Sequence, residues 1–189
     1  MLNGIQQVGI GTPNVHESFK WYRRNFGFDV PVFDEAAEAP LMTQYTGEKV
    51  QSRHAILAMN LNGGGGMEIW QYTSREPETQ TPFSLLQLGL LVTRIKCENA
   101  LEGRNKLIEN KPSEVKNDPL GKPSFSLTDP FRNRFIVAES DNWYQHKNST
   151  FGGIEGIVIG VSDMEKSLKF YRDVLQIDDV LFDEERVFE

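Results

Sequence analysis

The sequence predicts an α+β fold in which a unit of one strand, one helix and three further strands repeats along the chain. Two observations carry this prediction. Short segments alternate apolar and polar residues with the period of a strand, and amphipathic helical segments interrupt them. In addition, residues 153–184 align without a gap on residues 4–35, with 12 identities over 32 positions. The repeat indicates that one structural unit recurs.

Composition excludes several classes of function for these 189 residues. A net charge of −7 disfavours a nucleic-acid partner, because phosphate backbones attract positively charged surfaces. The single cysteine, Cys97, allows no intrachain disulfide, and we interpret it as a small buried hydrophobe. No apolar leader and no apolar run of membrane-spanning length is present, so we expect a cytoplasmic protein with no membrane partner.

The first unit begins with a strand that Pro13 ends. Asn14 and Glu17 have the spacing of a capping box, and Gly27 is placed to end the helix that follows. The stretch between the second and third strands has no clear period and reads as a loop with a short helix near residues 41–45. The predicted strands of this unit are residues 2–12, 28–35, 54–61 and 67–72.

The most informative stretch is GGGGMEIWQY, in which a glycine turn leads into a strand with one carboxylate. Alternation places Met67 and Ile69 on a packed face and Glu68 on the other, with Trp70 and Tyr72 beside it. A carboxylate among aromatic rings is costly to bury unless it is paired, protonated or bound to a metal. Glu68 is therefore the candidate catalytic residue, and the alternative is a half-buried Glu paired with a neighbouring Arg or Lys.

The preceding strand contributes two more candidate pocket residues. Its alternation predicts that His54 and Asn60 face the same side as Glu68. His54 could complete a ligand set, but we favour a histidine that lines the pocket or pairs with a Glu. Trp70 and Tyr72 are interpreted as aromatic pocket walls, with core packing as the alternative.

The division of the chain follows from this order of segments. We expect a first unit over residues 1–80, a second over 84–140, a linker over 141–152, and the start of a third, incomplete unit over 153–189. The second unit is predicted to have strands at 86–93, near Val115, at 124–128 and at 134–139, with a helix at 100–110. The third copy supplies one strand, one amphipathic helix and one more strand, and its apolar stripe requires burial.

This order of elements resembles the vicinal oxygen chelate superfamily, which includes glyoxalase I, extradiol dioxygenases and bleomycin resistance proteins. The resemblance rests on QQVGIGTPNVHESFKWYRRNFGF, MEIWQY, SLTDPFRNRFIV and IEGIVIGVSDMEKSLKFYRDVLQI, and it spans essentially the whole chain. It implies paired βαβββ modules that form an open, cup-shaped mixed sheet with the helices outside. Metal ligands in that superfamily come from the first and last strands of each module.

Carried over to this chain, the resemblance assigns metal ligands to Gln7 and Glu68. In the second module the first-strand position falls on Gln87 or Gly89, and the last-strand position falls on Ile136, where the family pattern has Glu. Ile136 is therefore a departure that leaves the ligand set incomplete, and we treat Gln87 and Ile136 as pocket residues. The implied cofactor is a divalent metal ion, namely zinc, nickel, iron or manganese.

Three functions remain open from the sequence. The first is a metal-assisted lyase or isomerase of glyoxalase type, acting on a small substrate with two neighbouring oxygens. The second is a metal-free module of the same fold that binds a small ligand. The third is the structural half of a larger two-domain enzyme whose active site lies downstream. For the incomplete third unit we expect docking on the first two units or on a second copy, which would form a homodimer.

Overall fold

The computed structural model describes residues 4–76, 84, 86–145 and 149–185. Its strands are β1 Gln7–Gly11, β2 Val30–Glu38, β3 Ser52–Met59, β4 Gly66–Tyr72, β5 Gly89–Cys97, β6 Lys116–Asn117, β7 Pro123–Thr128, β8 Arg134–Glu139 and β9 Phe151–Gly160. Its α-helices are α1 Val15–Phe26, α2 Ala100–Lys106 and α3 Met164–Asp173, with short 3₁₀ helices at Pro40–Tyr45 and Ile108–Asn110.

Within these described residues the strands form two mixed sheets that do not close into a barrel. The first sheet has the order β1-β4-β3-β2, and the second has the order β6-β7-β8-β5-β9. In each, the first strand of the unit lies parallel to its last strand, β1 beside β4 and β5 beside β8. The same strand order therefore occurs twice, which confirms the predicted α+β fold of repeated strand–helix–three-strand modules.

Helix α1 begins and ends where the sequence predicts. The side chain of Asn14 accepts a hydrogen bond from the backbone N–H of Glu17, and Gly27 ends the helix in the left-handed conformation at φ 71°. Between these caps, Tyr22 and Phe26 are fully buried. The two caps thus fix where α1 begins and ends, and between them the side chains of Tyr22 and Phe26 reach the core.

The core lies on the helix-bearing faces of both sheets and joins them into one cluster. Phe26 contacts Phe135 of β8 and Phe151 of β9, with ring centroids 5.2 and 5.6 Å apart. Aromatic pairs at such separations add to the stabilisation that burial provides. Helix α1 therefore packs against its own sheet and also against strands of the second sheet.

The third copy of the repeat divides into a docked part and an exposed part. Strand β9 pairs antiparallel with β5, and its residues Phe151 and Ile154 are buried. Helix α3 has the predicted N-cap, Asp163, but it buries none of its residues. No strand forms in residues 174–185, so the last strand predicted for this copy is wrong over the described part of the chain.

Among the described segments, no helix has both the length and the apolar character needed to cross a membrane.

Candidate functional site

The predicted ligand pair, Gln7 and Glu68, comes together on the first sheet. Strands β1 and β4 run parallel in a register that pairs Gly9 with Glu68 and Gln7 with Gly66. In this register the Gln7 side-chain amide donates a hydrogen bond of 2.7 Å to Oε2 of Glu68. The carboxylate therefore has an amide partner, where the alternative interpretation expected an Arg or Lys.

The face that carries this pair is open at the glycines of β1. Met67 and Ile69 are fully buried in the core, as predicted, so Glu68 lies on the opposite face. A Cβ atom added at Gly9 or Gly11 would meet no atom within 4 Å. The two glycines therefore leave room for a ligand to approach the sheet beside Glu68.

Aromatic and cationic side chains extend the same face toward the end of β4. The rings of Trp70 and Tyr72 lie 6.2 Å apart. The guanidinium of Arg53 sits 4.8 Å from the centroid of Trp70, and that of Arg75 sits 4.1 Å from the centroid of Tyr72. Both aromatic residues line a cleft of about 730 Å³ that continues along residues 11–13 and 70–76. Trp70 and Tyr72 thus line this cleft, and their role as walls of a ligand pocket stays a prediction.

His54 does not lie beside Glu68, and this part of the sequence interpretation is wrong. Strand β3 pairs with β4 so that Leu57 faces Glu68 while His54 faces Gln71. The ring of His54 therefore lies on the helix-bearing side, 4.8 Å from the ring of His16 in α1. Its Nε2 atom is 2.6 Å from Oδ1 of Asp34 on β2.

Asn60 is a structural residue, not a pocket residue. It is fully buried at the end of β3. Its side-chain amide donates to the backbone carbonyls of Phe26 and Phe151, and its side-chain oxygen accepts from the backbone N–H groups of Asn62 and Gly63. All of these partners are backbone groups, so Asn60 holds the β3–β4 turn against α1 and β9.

The two remaining predicted pocket residues lie on or beside the second sheet. Gln87 precedes β5, next to the end of β9, where its backbone carbonyl lies against Gly160. Ile136 is paired in register with Arg94 of β5 and Ser126 of β7. Ile136 therefore lies in a different sheet from Gln7 and Glu68, and Gln87 lies beside that second sheet.

Sequence reasoning missed a charged cluster around Arg94 on that second sheet. One nitrogen of Arg94, Nη2, lies 2.8 Å from Asp118 and 3.2 Å from Glu155 of β9. Burial pushes the pKa of Asp118 upward, but the hydrogen bonds from Arg94 and from the backbone N–H groups of Lys122 and Leu120 outweigh burial, so that pKa lies below its ordinary value. In the sequence, the alternation of Arg94 and Lys96 with apolar residues in β5 was the signal that could have indicated this cluster.

A second missed group ties the β7–β8 turn to α1. The buried carboxylate of Asp129 accepts hydrogen bonds from the Tyr22 hydroxyl and from the side chain and backbone of Asn133. Burial raises the pKa of Asp129, and burial next to that carboxylate raises the pKa of Tyr22. Asn133 also donates to the backbone carbonyl of Gly11. The DPFRN motif therefore acts as a structural junction between the two modules.

Comparison with solved structures identifies the fold. A glyoxalase family protein from Bacillus cereus matches 74% of this chain over 95% of its own length, with a TM-score of 0.57 and 14% identity. A putative dioxygenase from Bacillus subtilis matches 90% of this chain over 54% of its own, with a TM-score of 0.60 and 13% identity. A glyoxalase I variant from Zea mays matches 91% over 55%, with a TM-score of 0.57 and 13% identity.

These matches confirm the predicted glyoxalase-like fold. The chain spans about half the length of the Bacillus subtilis and Zea mays proteins. The sequence matches no protein-family model, and it matches no curated protein sequence. A shared fold does not imply a shared activity, so the evidence for an activity lies in the side chains of this chain.

Proposed function

We propose that the open face of the first sheet is part of a metal-assisted lyase or isomerase site for a small substrate with two neighbouring oxygens. The observation that carries the proposal is the contact between Gln7 and Glu68 at 2.7 Å. These two residues occupy the two positions to which the superfamily resemblance assigns metal ligands. The open space at Gly9 gives a ligand access to them.

The donor atoms present fit a divalent ion at two positions. Glu68 offers carboxylate oxygens, and Gln7 offers an amide oxygen once its side-chain amide is turned over. Such oxygen donors suit divalent ions such as manganese, although a protein site generally uses at least three protein ligands. Ile136 offers no donor atom, so the further ligands have to be substrate oxygens, water or groups of another module.

The side chains around the pair have separate tasks in this chemistry. A bound divalent ion would polarise the two neighbouring oxygens of the substrate as a Lewis acid. Glu68 would act as a ligand or, once it has left the ion, as the base that accepts the proton from the carbon beside those oxygens. In the second case the side-chain N–H of Gln7 would hold the Glu68 carboxylate in place. Trp70 and Tyr72 would cover the apolar part of the substrate and exclude water from it.

A homodimer could supply the missing part of the site. Strand β9 pairs antiparallel with β5, so the first strand of one repeat copy pairs with the first strand of another. Within the described residues, β1 is an edge strand and its outer side has no partner strand. We infer that β1 of a second copy pairs with this edge and brings a second Gln7–Glu68 pair close to the first.

The alternative is a metal-free module that binds a small ligand. One observation favours it, because the side-chain N–H of Gln7 already donates a hydrogen bond to Oε2 of Glu68. In that case Trp70 and Tyr72 would hold an apolar ligand, and Arg53 would contact its polar end.

Metal titration of the full chain with and without Glu68 separates these functions. We expect manganese, which prefers oxygen donors, to bind, and we expect Glu68→Gln to weaken its binding at least tenfold, because the substitution removes the anionic ligand. Glu35→Gln is the matched control, because that carboxylate lies on the same sheet and is held by Arg53 at 3.0 Å. With metal bound, the wild-type chain should exchange the proton beside the carbonyl of small hydroxyketones in deuterated water, and Glu68→Gln should not.

Two results would decide against the enzyme. Equal metal affinity in the wild type and in Glu68→Gln would place the ligands elsewhere. Ligand binding without any metal-dependent proton exchange would instead support the metal-free module.

A further inference from the structure

A second cluster of metal-ligand side chains lies on the other face of the first sheet. The ligand atoms of His16, Asp34 and His54 all lie within 4.8 Å of one another. Two of the chain's three histidines therefore meet at this point. Two imidazoles and one carboxylate are a donor set found in zinc and iron sites of proteins.

Three regular elements hold this cluster, and no loop contributes to it. His16 is the second residue of α1, Asp34 lies in β2 and His54 lies in β3. The register places Ala36 opposite His54, so Asp34 and His54 are diagonal neighbours on one face of a β-ladder.

The start of α1 is also fixed at this point. The backbone N–H of Val15 donates a hydrogen bond of 2.9 Å to the side chain of Gln71, the residue paired with His54 across β3 and β4. His16 is therefore anchored next to the strand that carries His54. A site built on helices and strands holds its ligands more accurately than a site built on loops.

The distances allow an ion to enter with small side-chain movements. Ligand atoms around a tetrahedral zinc ion are about 3.3 Å apart, given metal–nitrogen distances of about 2.0 Å. His54 Nε2 and Asp34 Oδ1 are 2.6 Å apart, so they need to separate by less than about 1 Å. His16 is exposed, so its ring can turn toward them by rotation about its side-chain bonds without moving the core.

We propose that His16, Asp34 and His54 bind one divalent transition-metal ion of the zinc class on the helix-bearing side of the first sheet. Three protein ligands leave one coordination position for water. This site is distinct from the Gln7–Glu68 pair, because β3 and β4 place His54 and Glu68 on opposite faces. The proposal therefore does not depend on the function proposed for the other face.

Zinc titration of the full chain by calorimetry tests the proposal. We expect about one zinc ion per chain to be lost, or its affinity to fall at least tenfold, in His16→Ala, Asp34→Asn and His54→Gln. Glu35→Gln is the matched control for Asp34, because Glu35 is its neighbour in β2 and points to the opposite face toward Arg53. This control and Glu68→Gln should both keep the zinc site.

A second measurement locates the ion independently of affinity. Cobalt should shift and broaden the imidazole proton resonances of two histidines in the wild-type NMR spectrum, and His146→Ala should keep both affected signals. Circular dichroism checks that each variant is folded. If His54→Gln is unfolded, the exposed variant His16→Ala decides the question alone.

Three results would overturn the proposal. They are wild-type zinc binding weaker than millimolar, unchanged zinc affinity in His16→Ala, and loss of all zinc binding in Glu68→Gln alone. The last result would assign the zinc to the Gln7–Glu68 site and so support the function proposed there. Failure of that proposed function would leave the zinc titration of the histidine variants unaffected.

Discussion

At the scale of single residues, the error over His54 shows what a sequence pattern cannot determine. Residues Ala55 to Ala58 of β3 are all buried, on both faces of the sheet. A strand buried on both faces lacks the alternation from which facing is inferred. The face to which each side chain of β3 points then depends on the register of β3 against β4. The turn between these strands sets that register, and in it Gly64 and Gly65 have positive φ values of 86° and 83°. A shift of one residue in that register exchanges the two faces.

The Arg94 cluster leads to a prediction on pH dependence. The folded-state pKa of Asp118 lies below its ordinary value, so its contribution to stability is present above about pH 4 and is lost as pH falls through the folded-state pKa. Arg94→Met should lower the free energy of unfolding by about 2 kcal/mol at pH 7, because Asp118 and Glu155 lose their cation. The difference between the variant and the wild type should shrink below pH 4.

Urea denaturation at pH 7 and pH 3 measures both quantities. Arg104→Met is the control, because its partner Glu114 is mostly exposed, with 79% of its side-chain surface accessible. A pair of this kind contributes less than about 1 kcal/mol, so the control should change little at either pH. A destabilisation of Arg94→Met that is equal at both pH values would show that lost packing, not charge, is responsible.

At the scale of elements, the alternation of apolar residues and the capping residues in the sequence predicted most of the fold correctly. The strands that alternate clearly, such as β4 and β7–β8, occur where they were predicted, with Met67, Phe125 and Phe135 in the core. The repeat also placed β9 and α3. The Gln7–Glu68 pair followed from alternation together with the resemblance. The Arg94 cluster and the His16–Asp34–His54 cluster did not, because each joins three separate segments of the chain whose relative positions only tertiary packing defines.

The two copies of the capped helix should respond differently to the same substitution. Asn14 and Asp163 occupy equivalent N-cap positions, and each accepts a backbone hydrogen bond, from Glu17 and Lys166 respectively. Asn14→Ala should lower the global free energy of unfolding by about 1 kcal/mol, because α1 buries Tyr22 and Phe26. Asp163→Ala should leave it unchanged, because α3 buries no residue.

Hydrogen exchange distinguishes global from local effects in this pair of variants. Helix α3 has only 10 residues and little packing, so its amides should exchange by local opening. We expect faster exchange within α3 in Asp163→Ala and no change in the sheets. Equal losses of global stability in the two variants would mean that α3 is packed against the rest of the fold in solution.

At the scale of the whole molecule, the core requires β9, which begins at Phe151 in the predicted linker and continues into the third copy. Phe151 is 7% exposed and packs against Phe26, whereas Phe170 of α3 is 51% exposed. Phe151→Ala should lower the free energy of unfolding by about 3 kcal/mol, measured by urea denaturation. Phe170→Ala should change it by less than about 0.5 kcal/mol. Similar effects of the two substitutions would contradict the division between a docked strand and an exposed helix.

The free edge of β1 gives a specific way to test the proposed homodimer. Thr12 donates its backbone N–H to Trp70, and the carbonyl of Gln6 accepts from Gly66. Because backbone groups alternate in direction along a strand, the N–H of Gly9 points away from β4 toward the free edge. Proline is tolerated at such a position, so Gly9→Pro should keep the sheet and block pairing with a second chain.

Light scattering coupled to size exclusion should therefore give the mass of two chains for the wild type and of one chain for Gly9→Pro. Leu168→Glu is the matched variant, because it changes the exposed apolar surface of α3 and leaves β1 intact. If the dimer forms through β1, Leu168→Glu should remain dimeric. A monomeric Leu168→Glu together with a dimeric Gly9→Pro would place the interface on α3, where the sequence repeat has left an apolar stripe without a buried partner in the described chain.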